Sequence, residues 1–149
     1  MTSNAARAAL LIRALQAGID RDRETIEKLC TDDIQAWTPS LATSSVAELV
    51  DELERRDEAF SDFVLDAVPL DVGGEYACVE WSVTMTHTGP LALPGGDVLE
   101  PTGLEIMVHG ATVAEFRDDR ICSLRQYWNE FTVLEQLGVL SDSDPPPPD

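Results

Sequence analysis

Over the first third of the chain, apolar residues recur at helical spacing. Ala8, Leu11, Ile12, Leu15 and Ile19 fall on one face of a helix that Ser3 or Asn4 can cap and that Gly18 weakens toward its end. A second, short helix is predicted to start at Asp20 or Asp22 and to bury Ile26 and Leu29. In "DDIQAWTPS", Ile34, Ala36 and Trp37 precede Pro39, which disfavours helix at Thr38, so a short strand or a bend is expected there. Ser45 and Glu48 have the spacing of a capping box, and Val46, Leu49, Val50, Leu53 and Phe60 give a third helix its buried stripe.

After that helix the hydrophobic period falls to two. "FVLDAVPLDV", a turn at Gly73-Gly74 and "EYACVEWSVTMTHTG" predict a hairpin of sheet. A loop rich in Gly and Pro, from Gly89 to Gly103, leads to "LEIMVHGATVAEFR", a tight turn at Asp118-Asp119 and "ICSLRQYWNEF". Three helices followed by at least four antiparallel strands predict an α+β domain. Its three N-terminal helices are expected to close one side of a curved antiparallel sheet and leave a deep pocket. Residues 1–140 are expected to form this one domain, and the acidic, proline-rich "SDSDPPPPD" at 141–149 has no apolar anchor and is expected to be disordered.

Composition narrows the partners. A chain of 149 residues can bury a core without disulfides. Ten basic against 28 acidic residues give a formal charge of −18, spread along the chain, which repels phosphate backbones and anionic lipid. Neither nucleic acid nor membrane is an expected partner. Cys30, Cys78 and Cys122 are odd in number and far apart, as in a reduced, cytoplasmic protein. The first apolar run is interrupted by Arg13 and followed by "DRDRE", so it reads as neither a signal peptide nor a membrane span. Two His and three scattered Cys offer no ligand spacing, and no glycine-rich phosphate loop follows a strand, so no metal and no cofactor are expected.

The last strand carries the candidate chemistry. Regular alternation places Ser123, Arg125, Tyr127 and Asn129 on one face and Cys122, Leu124, Gln126, Trp128 and Glu130 on the other. The first row is unusually polar and is expected to wall the pocket. The same alternation would also suit an exposed face with Leu124 and Trp128 inward, and a bulge would reverse the phase. Trp81, Met85 and His87 share one face of a central strand, where core packing competes with substrate contact. His109 is an acid/base candidate if its parity points it inward. Glu130 would offer a carboxylate if the strand kinks, whereas regular pleating turns it away.

Several short motifs, in order, point to a family. "EW" at Glu80-Trp81, "THTG" from Thr86, "PTG" from Pro101, "FRDDRI" from Phe116, and the closing "YWN" through "EQLG" resemble the SnoaL-like polyketide cyclases of the nuclear transport factor 2-like superfamily, over Ala5 to Leu140. The resemblance implies the cone fold, a pocket residue at Trp37 and pairing into a homodimer through the outer face of the sheet. It also implies a general acid/base aspartate for intramolecular aldol closure, seven residues before the Gln-Leu-Gly; here that position is Asn129. An amide donates and accepts hydrogen bonds but takes no proton near neutral pH. The family often places a His where this chain has Thr112, with His109 three residues earlier. The Arg-x-Asp arrangement of limonene-type epoxide hydrolases is absent from the central strands.

The expected function is cyclisation, isomerisation or a related rearrangement of a hydrophobic, oxygenated, polyketide-like metabolite in secondary metabolism, by an enzyme of cyclase, isomerase or lyase type. Trp37 and Trp81 would shape the substrate, and Asn129, Tyr127 and Arg125 would polarise a carbonyl or hold an enolate. The alternative is a noncatalytic ligand-binding or dimerisation domain of the same fold.

Overall fold

Local capping bonds set the helices. Ser3 Oγ accepts from the Ala6 N–H at 3.1 Å and opens α1 (Asn4–Asp20), which Arg21 closes in the left-handed conformation. The Asp22 carboxylate accepts from the Thr25 N–H at 3.2 Å ahead of α2 (Arg23–Leu29). Ser45 Oγ accepts from the Glu48 N–H at 3.1 Å and donates back to that Glu at 3.4 Å, before α3 (Val46–Arg56). Phe60, expected on the stripe of α3, instead begins a strand, because the helix stops at Arg56 and the Phe60 backbone pairs with His87.

The computed structural model describes residues 3–39, 41–56, 58–93 and 95–139, and the expected tail at 141–149 lies outside them. The strands are β1 (Cys30–Thr38), β2 (Leu41–Thr43), β3 (Phe60–Leu70), β4 (Tyr76–His87), β5 (Leu91–Ala92), β6 (Val98–Leu99), β7 (Glu105–Arg117) and β8 (Arg120–Trp128), followed by α4 (Glu130–Gln136). Six of them form one curved sheet in the order β2-β1-β8-β7-β4-β3, while β5 and β6 pair as a small hairpin within the Gly/Pro-rich loop. The sheet is mixed rather than wholly antiparallel. β1 lies parallel to β8, with Gln35 opposite Ser123 and Trp37 opposite Arg125. The stretch expected to be a short strand or bend is thus a nine-residue strand, held by a partner far along the chain. The last strand ends at Trp128, and a fourth helix follows where strand was expected to continue through Phe131.

Three register shifts in the sheet, one of them between Cys30 and Gln35 of β1, bear on which side chains face the helices. In β3 the pairing shifts between Ser61 and Val64, with Asp62 at φ 58°, and the register then runs evenly to Leu70. Between β7 and β8, Phe116 opposes Ile121 and Glu115 opposes Ser123, so Cys122 is the extra residue. Ile121 and Leu124 are therefore both buried, three positions apart. Leu11 of α1 and Ile34, Val79 and Ile121 of the sheet are fully buried in one core between helices and concave sheet face. Bulges also sharpen strand bending, which gives the sheet its hollow.

Candidate functional site

The hollow holds a cavity of about 560 Å³, within the size range of small-molecule sites. α1 contributes Leu15, Gly18 and Ile19, α3 contributes Leu49 and Leu53, and α4 closes one end with Val133 and Leu134. The β5 segment adds Leu91 to Leu93, and β3 adds Phe60, Phe63 and Leu65. The wall is largely apolar, so a ligand would gain chiefly from removing its own apolar surface from water.

An aromatic pair forms part of this wall. The Trp81 indole N–H donates to Thr112 Oγ1 at 2.9 Å, and its ring meets the Trp128 ring edge-on at 6.1 Å between centroids. Gly110 lies opposite both Trp residues in the sheet, and a Cβ there would overlap the Trp81 ring. Glycine at that position lets the indole lie flat on the strand. Thr112, fully buried, spends its hydroxyl on that indole and holds the wall from behind.

The polar groups on the lining are few. Gln126 points in from β8, Thr38 from β1, and Glu130 from the first turn of α4. Glu130 is exposed, so its carboxylate stands at the mouth, and it is the one charged side chain among the described lining residues. Cys30 also lines the cavity, but burial pushes its thiol up to about 12 against a lesser opposite pull from Arg120, so it is no thiolate nucleophile at neutral pH. Cys78 and Cys122 are likewise raised, first by burial and then by Glu80 and Glu115 respectively.

The expected site residues divide between the two sides of the sheet. Trp81 and Met85 line the cavity. The row of Arg125, Tyr127 and Asn129 does not. Because Cys122 bulges, Leu124, Gln126 and Trp128 turn inward, and Arg125 and Tyr127 lie on the outer face, both exposed. Trp37, expected in the pocket, is on that outer face too, 43% exposed, with its ring 5.2 Å from the Tyr127 ring. His109 alternates outward between Val108 and Gly110 and is exposed. Asn129 follows the end of β8 and caps α4, its side-chain oxygen accepting from the Phe131 N–H at 3.0 Å.

His87 is fully buried beside the cavity rather than on its lining. Its Nδ1 accepts from the Thr102 N–H at 3.1 Å, which places the ring proton of the neutral tautomer on Nε2. The ring packs 5.5 Å from that of Phe60 and ties the loop before β7 to the end of β4. Among the described residues, no group of three or more His, Cys, Asp or Glu could hold a metal ion, and no helix is long and apolar enough to cross a membrane.

Alternation groups Leu124, Gln126 and Trp128 on one row but leaves open which row faces the pocket, and it is the polarity of the other row, with the resemblance, that favours Arg125 and Tyr127. The available signal is the apolar pair Leu124 and Trp128 on the inward row, which needs cover more than Arg125 and Tyr127 do.

This architecture has known counterparts. The SnoaL-like domain family matches residues 10–124, and the chain belongs to that family. Among solved structures, AclR from Streptomyces galilaeus, described as a candidate hydroxylase, is 27% identical, with a TM-score of 0.76 over 94% of this chain and 85% of its own. A candidate polyketide cyclase from Xanthomonas campestris pv. campestris is 20% identical with a TM-score of 0.76, over 91% of this chain and 99% of its own. An epoxide hydrolase of the LEH-like kind from M. tuberculosis is 15% identical with a TM-score of 0.66, over 92% and 93% respectively. The last two likenesses speak to the fold. No curated protein sequence matches the chain.

Proposed function

We propose that the cavity binds a hydrophobic, oxygenated, polyketide-like molecule and catalyses its cyclisation or isomerisation through a proton transfer beside a carbonyl. The observation that carries this reading is the pairing of an apolar cavity with an amide and a carboxylate, Gln126 and Glu130, on its lining. The family's acid/base aspartate position holds Asn129, whose side chain is engaged at the start of α4. The proton carrier in this reading is the next residue. Glu130 removes a proton from carbon acidified by the carbonyl, and the Gln126 N–H group hydrogen-bonds a substrate carbonyl oxygen. The resulting enolate either attacks a second carbonyl, closing a ring, or takes the proton back at another carbon. Glu130 returns the proton in both cases, so the protein ends unchanged. Trp81 and Trp128 supply a flat, rigid wall for the apolar body.

The test is turnover of β-keto ester and polyketone substrates. Glu130→Gln should lower kcat by about 10²–10⁴-fold, the usual contribution of a positioned acid/base group. Gln126→Ala should lower it by on the order of a hundredfold if the amide meets developing charge. Folded variants that turn over as fast as the parent would sink the catalytic reading. A second reading, a binding domain without turnover, is favoured by Glu130 being the lone charged group among the described lining residues, with no second carboxylate or imidazole among them.

The outer face is proposed as the homodimer surface. Trp37, Val64, Val68, Met107 and Tyr127 are exposed there, an apolar area that water does not favour. Light scattering at micromolar concentration should give twice the chain mass, and Tyr127→Glu should give the monomer. The three free thiols are consistent with work in the reduced cytoplasm.

A further inference from the structure

We propose that the cavity discriminates by charge, taking apolar ligands that bear a protonated amine and turning away those that end in a carboxylate. The inference rests on the reading of the hollow as a small-molecule site and names the class of molecule it takes. Three observations meet at the mouth. Glu130 is the one charged side chain among the described residues of the lining, and no cation among the described residues forms an ion pair with it. The lining around it is apolar, from Leu53 and Phe63 to Val133 and Leu134, so its field is carried inward by low-dielectric walls rather than dissipated in water. The chain as a whole carries a formal charge of −18, which raises the local concentration of cations over its surface and lowers that of anions.

The neutral groups nearby can seat such a ligand. The Gln126 amide offers both a donor and an acceptor on the same cavity lining as Glu130. The carboxylate acts through space, within the roughly 10 Å over which charge is felt at about 0.1 M salt. It need not form a contact pair with the amine, and so stays available for the proton transfer proposed above. A carboxylate-bearing ligand meets the same field with the opposite sign and finds no described lining cation to pair with.

Three probes with one apolar chain separate the cases: decylamine, decanol and decanoate, at micromolar concentration, titrated into the full chain by calorimetry near neutral pH. Decylamine should bind tightest and decanoate weakest, with about tenfold between them, the scale set by a screened carboxylate at a cavity mouth. Decanol should displace decylamine, since both occupy the cavity. Glu130→Gln, or raising salt to about 0.5 M, should narrow the spread to within about threefold. Decanoate binding as well as decylamine would overturn the proposal. So would a spread that survives Glu130→Gln, because it would belong to the general surface charge, or an amine that decanol cannot displace, because it would sit on the acidic exterior. If decanol too fails to bind, the small-molecule reading itself falls, and this inference with it.

Discussion

The two faces of β8 differ less in residue type than in what they meet. Inward, Leu124, Gln126 and Trp128 join the cavity wall; outward, Arg125 and Tyr127 stand exposed beside Trp37. Each row offers an aromatic ring and a hydrogen-bonding side chain, so either would serve a pocket on chemical grounds. The choice is made by Cys122, the extra residue opposite Glu115 and Phe116. A bulge moves every later side chain to the other face because the strand period is two. The chemistry of a strand row therefore identifies a site only when the phase is known.

The strongest test of this comparison is to remove the bulge. Deleting Cys122 together with Ser123 takes out the bulge and one ladder position as well, so the strand beyond shifts by one and Arg125 and Tyr127 swing inward while Leu124 and Trp128 turn out. The adjoining turn has no slack, since Arg117 pairs with Arg120 across Asp118 and Asp119, both already at positive φ. An unpaired buried charge costs about 3–5 kcal/mol, much of the roughly 5–15 kcal/mol by which domains are stable. The deletion should abolish the cooperative thermal transition in circular dichroism. A variant that melts like the parent would show that the phase of β8 is set elsewhere.

The legible parts of this fold were those written in neighbouring residues. Ser3, Asp22 and Ser45 each cap a helix because a cap needs only a backbone N–H three residues on. The hairpin of β3 and β4 followed from alternation, and the cone from the resemblance carried by the motifs. The parallel pairing of β1 with β8 was not legible, since Trp37 and Arg125 are brought together only by the closed sheet. Nor was the bulge at Cys122, a residue with no glycine or proline beside it to mark the irregularity. The outward placement of Trp37, Arg125 and Tyr127 follows from those two facts alone. Trp81 and Met85 share the cavity face that their common parity on β4 implies, because β4 pairs evenly with β7 from Tyr76 to Thr86.

The inner face is also the less tolerant of added volume. Gly110→Ala would drive a methyl group into the Trp81 ring with the Tyr127 backbone oxygen on the other side, leaving the indole to move and its bond to Thr112 to lengthen or break. Overpacking of this kind costs about 1–3 kcal/mol, or a fall in Tm of roughly 3–10 °C for a chain of this size. The same variant should lose affinity for any apolar ligand, because the displaced ring enters the cavity. Two added methyls on the outward neighbour, Ala111→Val, should do neither. If both changes proved equally harmless, the Trp81 wall would be softer than its packing implies.

The smallest effect is expected at Asn129, and it sharpens the comparison most directly. The side chain caps α4 through the Phe131 N–H, and the Asn129 carbonyl accepts from the Thr132 hydroxyl at 2.7 Å. Asn129→Ala removes the first bond and keeps the second. Loss of an N-cap costs about 1 kcal/mol, a shift in Tm of roughly 2–4 °C at this chain length. If Asn129 only caps, kcat/KM should stay at the parental value once the folded fraction is equal, while Gln126→Ala reverses the pattern, with Tm kept and kcat/KM reduced. Asn129→Asp should retain the cap, because Asp is an equally good N-cap residue, and should leave turnover as it was. A loss of turnover in Asn129→Ala at unchanged Tm would move the reacting centre to the rim where β8 gives way to α4, and Glu130 would then share its role with the residue before it.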